Sequence, residues 1–73
     1  MTLLELLKRV NHSQKIDLFN SNCTIIVLDL TNKEIIDTLL TKFEKNFRAI
    51  MNCEIGQIYV EEGNLEITLK KSF

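Results

Sequence analysis

Three side chains of this sequence have the chemistry of metal ligands or nucleophiles: His12, Cys23 and Cys53. A zinc site that is recognisable from sequence needs ligands a few residues apart, such as a Cys-x-x-Cys pair. The two cysteines stand far apart in the chain, and there is no second histidine. We therefore predict no metal site, no catalytic residue and no cofactor, and we expect both thiols to be buried at the starts of strands.

Paired carboxylates are the second kind of group that could do chemistry. Acid–base catalysis needs two acids that face one pocket. Asp17 and Asp29 can share a face of a predicted hairpin, but no histidine, lysine nucleophile or glycine-rich loop joins them. Glu61 and Glu62 are neighbours in a predicted tight loop, where adjacent side chains diverge. These patterns favour a binding protein over an enzyme, although an enzyme with an unrecognised site stays a third possibility.

Lys42, Lys45 and Arg48 recur every three residues on a predicted helix and could contact phosphates. The same cations also complement a helix dipole and suit a solvated face. The net charge of −1 provides no global attraction to nucleic acid. A nucleic-acid-binding accessory protein that uses these three residues is therefore the alternative function, and we do not expect nucleic acid to be the partner.

Tyr59 is the most promising single contact residue, because tyrosine is enriched where an apolar surface meets water. Strand alternation places it opposite Glu66 on a sheet face that no helix covers. Glu61 and Glu62 follow closely along the chain. We predict a partner-binding surface formed by Tyr59, Glu61 and Glu62, with a charge that suits a basic surface of another protein.

Two helices are marked by the same device, a Thr-x-x-Glu capping box, at Thr2 to Glu5 and at Thr31 to Glu34. An apolar stripe follows each box. The first stripe consists of Leu3, Leu6, Leu7 and Val10, and the second consists of Ile36, Leu39, Leu40, Phe43, Phe47 and Ile50. Since no glycine or proline intervenes, we predict one long second helix from Asn32 to about Met51.

Two hairpins occupy the remaining chain. The predicted strands are Ile16–Phe19, Cys23–Leu30, Cys53–Val60 and Leu65–Lys70. In the first hairpin the register stays open: a three-residue loop places Ile16 and Leu18 with Ile26 and Leu28, and a four-residue loop places them with Ile25 and Val27. In the second, only an even loop through Glu62-Gly63 places Ile58 and Val60 on the same face as Leu65, Ile67 and Leu69.

The predicted fold class is α+β, with element order α-β-β-α-β-β, a four-stranded antiparallel sheet and two helices on one face. Residues 1–73 form a single small domain. Two helices cannot cover both faces of a sheet that is apolar on both sides. We therefore expect a homodimer through the uncovered face, with Ile26, Leu28, Ile55 and Tyr59 at the interface.

Composition indicates a reduced, cytoplasmic location. Two cysteines cannot form a dense disulfide framework, and the chain does not open on a charged and then apolar leader. The longest apolar run, Ile25 to Leu28, is too short to span a bilayer, so we expect no membrane contact.

Four segments together resemble small α+β proteins that are carried by phages and prophages of low-GC Gram-positive bacteria. They are Glu5-Leu6-Leu7-Lys8, Lys15-Ile16-Asp17-Leu18, Ile58-Tyr59-Val60 and Leu65-Glu66-Ile67-Thr68-Leu69. Some similar phage proteins inhibit host defence, anti-CRISPR proteins among them. The resemblance implies a non-enzymatic protein-binding module that inhibits or regulates a host protein, within the host cytoplasm. It assigns no role to any residue, because the class shares no site motif.

Overall fold

The chain folds as an α+β domain in the computed structural model, which describes residues 1–73. Three short α-helices and four strands follow one another with a 3-10 helix between the last two helices. They are α1 (Leu3–Leu7), β1 (Ile16–Phe19), β2 (Ile25–Leu30), α2 (Asn32–Lys42), the 3-10 helix (Glu44–Asn46), α3 (Phe47–Met51), β3 (Ile55–Glu61) and β4 (Asn64–Leu69). The predicted fold class is confirmed at this level.

Both predicted capping boxes are present and begin α1 and α2. The Thr2 N–H donates to Glu5 Oε1 at 2.9 Å, and the Glu5 N–H donates back to Thr2 Oγ1 at 3.2 Å. The same pair of bonds joins Thr31 and Glu34, at 2.9 and 3.4 Å. Each box satisfies helix N–H groups that have no partner within the helix, which is why each helix starts where the sequence predicts.

Because of these boxes, the free energy of unfolding should decrease at acid pH. The bond from the backbone N–H of Thr2 lowers the pKa of Glu5, and the bond from the backbone N–H of Thr31 lowers the pKa of Glu34. A lowered pKa stabilises the folded state fully above the ordinary value of 4.5, and this contribution is lost as pH falls through the lower folded value. At pH values lower than about 4.5 we expect the melting temperature to decrease, and thermal scans followed by circular dichroism measure this change.

The matched variants are Glu5→Gln and Glu34→Gln, which keep the capping geometry and remove the titrating group. Part of the acid-induced loss should disappear in the double variant. An unchanged pH profile in that variant would show that the capping glutamates do not couple folding to proton uptake.

The sheet is mixed, so the predicted purely antiparallel sheet is wrong. The strand order is β2-β1-β4-β3, with antiparallel pairs at both sides and a parallel β1–β4 pair at the centre. The reason lies in the connection from β2 to β3. Because helices carry the chain back along the sheet after β2, β3 runs in the same direction as β2, and the two hairpins meet through strands that point the same way.

The register of the β1–β2 hairpin matches neither loop alternative throughout. Leu18 pairs with Val27, but Ile16 pairs with Leu30, because two irregularities add residues to β2. Asp29 adopts a φ of 57° at one of them. Such bulges turn neighbouring side chains to the same side, so that Ile26 and Val27 are both buried.

The β3–β4 hairpin has the predicted even loop, Glu62-Gly63, and both of these residues have positive φ, as the favoured two-residue hairpin turn requires. Ile58 pairs with Ile67 and Val60 pairs with Leu65, as predicted. Burial differs between the two strands. Ile67 is fully buried, whereas Ile58 and Val60 lie on the edge strand and are 45% and 74% exposed.

The predicted long helix is wrong, because the helix breaks at Phe43, where φ is −126° and ψ is 37°. Just before the break, Thr41 Oγ1 donates to the carbonyl oxygens of Asp37 and Thr38, a back-bond that bends helices. The side of α2 that faces the core also differs from the predicted stripe. Ile35 is buried instead of Ile36, and Leu40 is 48% exposed.

One core lies between the helices and the sheet. Its members are Leu3, Leu7, Ile16, Leu18, Ile26, Val27, Ile35, Leu39, Ile50, Met51, Cys53, Ile67 and Leu69. Every α-helix and every strand except β3 contributes to this set, and the 3-10 helix contributes nothing to it. The opposite side of the sheet is therefore left without a layer of its own.

Candidate functional site

The side of the sheet that faces away from the helices is the candidate binding surface, and we call it the open face. Strand alternation and the observed pairings assign its residues. They are Asp17, Phe19, Ile25, Gln57, Tyr59, Glu61, Asn64, Glu66 and Thr68. Carboxylates lie toward one end of this face, and apolar groups lie toward the other.

A row of three side chains crosses the middle of the open face. Asp17 of β1 is the neighbour of Glu66 of β4, and Glu66 is the neighbour of Tyr59 of β3. The predicted Tyr59–Glu66 pair is therefore confirmed. Tyr59 is 56% exposed, and no salt bridge holds either carboxylate of the row. The row presents an aromatic ring beside unneutralised negative charge.

Asp17 and Asp29 do come together, through a third residue that the sequence did not single out. Asn64 Nδ2 donates to Asp29 Oδ1 at 3.0 Å and to Asp17 Oδ1 at 3.3 Å. The backbone N–H of Asp29 also donates to Asp17 Oδ1, at 2.8 Å. These bonds hold the β2 bulge in place. Only the adjacency of β1 and β4 brings Asn64 to this position, and no local sequence signal could have indicated it.

A shallow depression of about 200 Å³ lies on the open face. It is lined by Phe19, Cys23, Gln57, Tyr59, Glu66 and Thr68. A larger groove of about 410 Å³ lies elsewhere, beside Ala49, Cys53, Lys70, Lys71 and Phe73. Only the depression on the open face combines aromatic rings with a carboxylate from the central row.

The two thiols lie in different environments. Cys53 is buried, as predicted, and its Sγ contacts the Glu54 carbonyl oxygen at 3.5 Å. The prediction for Cys23 is wrong, because Cys23 is exposed in the turn before β2 and has a φ of 67°. His12 is exposed in the loop after α1. No group of three or more His, Cys, Asp or Glu side chains is arranged to hold a metal ion.

The residues predicted for a dimer interface do not form one surface. Ile26 is a member of the core and is 9% exposed. Ile55 pairs with Leu69 and packs against the core, because the extra residue Gly56 shifts the register of β3 between Ile55 and Gln57. Leu28 and Tyr59 remain half exposed, but they lie on the two outermost strands of the sheet.

The predicted partner residues lie near one end of β3. Tyr59 and Glu61 are on the open face, two residues apart in the strand, and Glu61 pairs with Asn64. Glu62 is exposed in the turn and has a φ of 50°. Tyr59 and Glu61 therefore contribute to one surface, and Glu62 lies at its rim.

The predicted basic stripe is spread over three elements. Lys42 ends α2, Lys45 lies in the 3-10 helix and Arg48 lies in α3. All three are exposed. Because the helix breaks at Phe43, they do not follow the regular spacing of a single helix, on which the phosphate-binding alternative rested.

Comparisons of the chain with models of protein families, with curated proteins and with solved structures gave no match. None of the helices has both the length and the apolar character needed to cross a bilayer.

Proposed function

We propose that this protein is a non-enzymatic binding module whose open face takes up a basic surface of another protein. The observation that carries the proposal is the row Asp17–Glu66–Tyr59, which lies across three adjacent strands of a sheet face without helices. A tyrosine anchor with carboxylates around it combines apolar contact area with charge that selects its partner.

Electrostatics favour a basic protein partner over nucleic acid. Asp29 and Glu61 lie at one end of the sheet, Asp17 and Glu66 lie in the adjacent middle row, and no lysine or arginine pairs with any of these carboxylates. Phosphates would be repelled from this end, whereas lysine and arginine side chains would be attracted. A surface that itself binds nucleic acid would satisfy this requirement. The resemblance to phage proteins extends the proposal to a host defence protein that is inhibited by occupation of such a surface.

Affinity capture from a host lysate tests the proposal with a matched pair of double variants. Tyr59→Ala with Glu66→Lys alters the open face, and Leu40→Ala with Glu44→Lys makes similar changes on the helical side, where both residues are exposed. We expect the first variant to bind the captured protein roughly 30-fold or more weakly, since a tyrosine anchor contributes about 2 kcal/mol or more. The second should bind like the wild type.

If both double variants lost the same amount of affinity for the captured protein, the loss would not be specific to the open face, and the binding surface would lie elsewhere. A filter-binding assay at several salt concentrations distinguishes the nucleic-acid alternative from the proposed binding of a basic protein. Salt-sensitive retention of RNA or DNA that Lys45→Gln and Arg48→Gln abolish would favour the alternative and contradict the proposal.

A further inference from the structure

The outer edge of β3 is unprotected over most of its length. At the start of the strand the N-terminal segment covers the edge: the Leu3 N–H donates to the Cys53 carbonyl at 3.0 Å, and the Ile55 N–H donates to the Met1 carbonyl at 2.9 Å. Beyond Ile55 no other segment pairs with this edge. The stretch from Gln57 to Glu61 therefore presents free backbone groups, which form a template for another strand.

The two edges of the sheet differ. β2, at the other edge, carries two irregularities and the positive φ of Asp29, features that oppose the pairing of a further strand. The free stretch of β3 has no irregularity, lysine or proline, and its three central residues, Ile58, Tyr59 and Val60, are 45%, 56% and 74% exposed. A regular apolar edge of this kind promotes association.

We propose that β3 pairs with β3 of a second copy of this chain in antiparallel orientation, with the two-fold axis at Tyr59. The two sheets then form one continuous sheet, and the two open faces lie side by side. The register follows from the free stretch, whose central residue is Tyr59. In this register Ile58 of each copy faces Val60 of the other, and Gln57 of each copy faces Glu61 of the other.

The pairing is chemically self-complementary. Ile58 and Val60, exposed on the helical side of the edge, cover each other across the junction. On the open face the Gln57 amide can donate to the Glu61 carboxylate, and the two Tyr59 rings meet. This match between one end of the free stretch and the other favours a second copy over an unrelated strand.

Shifted registers lose this complementarity. With the axis at Val60, Tyr59 would face Glu61 and Ile58 would face Glu62. With the axis at Ile58, Glu61 would face Ile55, where Met1 already occupies the edge. In the dimer the two Tyr59 side chains adjoin at the junction, whereas Asp17 and Glu66 lie on strands away from it, so a partner would meet a surface formed by both copies. The dimer goes beyond the proposed function, and its association is measured without any partner protein.

Sedimentation at concentrations up to about 0.5 mM and disulfide crosslinking test the dimer and its register. The background is Cys23→Ser, because Cys23 is the exposed thiol and Cys53 is buried. We expect Tyr59→Cys to form a crosslinked dimer on mild oxidation, since directly opposed strand residues lie within disulfide reach. A mixture of Gln57→Cys and Glu61→Cys should crosslink, and neither should do so alone. His12→Cys, exposed but away from the edge, is the control and should not crosslink.

Charge variants give a second measurement on the same register. In Gln57→Glu, the new carboxylate of each copy would face Glu61 of the other copy, so two pairs of like charges should weaken association about tenfold. Gln57→Lys would create opposite charges at the same two places and should strengthen association. Glu66→Lys lies one strand away from the edge and should leave association unchanged while it weakens partner capture. A wild-type chain that is monomeric throughout, or a dimer that crosslinks equally at His12→Cys, would overturn the proposal.

Discussion

Replacing Ile67 with alanine is expected to lower the free energy of unfolding by about 2–5 kcal/mol. Ile67 is 0% exposed in β4, where it lies between Leu18 of β1 and Ile58 of β3. Alanine would leave a cavity at the centre of the only core, and a domain of this size has little stability to spare. Urea denaturation followed by circular dichroism measures the change, and the variant should be largely unfolded at moderate temperature.

Val60→Ala is the matched control for Ile67→Ala. Val60 lies on the same side of the sheet, but it is 74% exposed at the edge. Its loss should change the free energy of unfolding by no more than about 0.5 kcal/mol. Similar losses in the two variants would mean that β4 is not at the centre of the core.

The second large effect is expected for Asn20→Ala. Asn20 is the one buried polar residue, and its Oδ1 accepts a bond from the Phe73 N–H at 2.9 Å. Its Nδ2 donates to Thr24 Oγ1 at 3.1 Å and to the Phe73 carbonyl at 3.4 Å. Alanine leaves the part-buried Phe73 N–H without its partner, while the Thr24 hydroxyl keeps its bond to Asn22 Oδ1 at 2.7 Å, and the loss costs about 1–3 kcal/mol. Denaturation experiments measure this loss in the free energy of unfolding. Hydrogen exchange at the Phe73 amide should also be faster in the variant than in the wild type.

Ser21→Ala is the control for Asn20→Ala, because it also removes a contact with the C-terminal segment. The Ser21 and Ser72 hydroxyls lie 2.7 Å apart, but both are exposed, and water can replace either partner. Denaturation of Ser21→Ala should differ from the wild type by about 0.5 kcal/mol or less. If the serine variant lost as much stability as Asn20→Ala, burial of the Asn20 amide would not be the cause.

The parts of the fold that were predictable depend on neighbours in sequence. The Thr31–Glu34 capping box joins residues three apart, so the start of α2 could be assigned without knowledge of the rest of the chain. The Glu62-Gly63 turn likewise follows from strand alternation and loop parity. From that turn the pairing of Tyr59 with Glu66 could also be predicted.

The parts that were not predictable depend on distant contacts. Phe43 lies within a stretch of good helical periodicity, yet the helix breaks there, and Phe43 and Phe47 both pack against a core built from distant parts of the chain. The shift at Gly56, which moves Ile55 to the core side, depends on the register against β4. The contact of Asn64 with Asp17 requires the strand order, which no local pattern encodes.

The parallel β1–β4 pair also has a consequence for how fast the chain folds. Each hairpin can close over its own short turn, whereas Ile16 meets Leu65 only after most of the chain has been looped out between them. The entropy of closing that loop must be lost before the central contacts form. The two hairpins are therefore expected to form early and the centre of the sheet late, so that this domain folds more slowly than a sequential antiparallel meander of equal length.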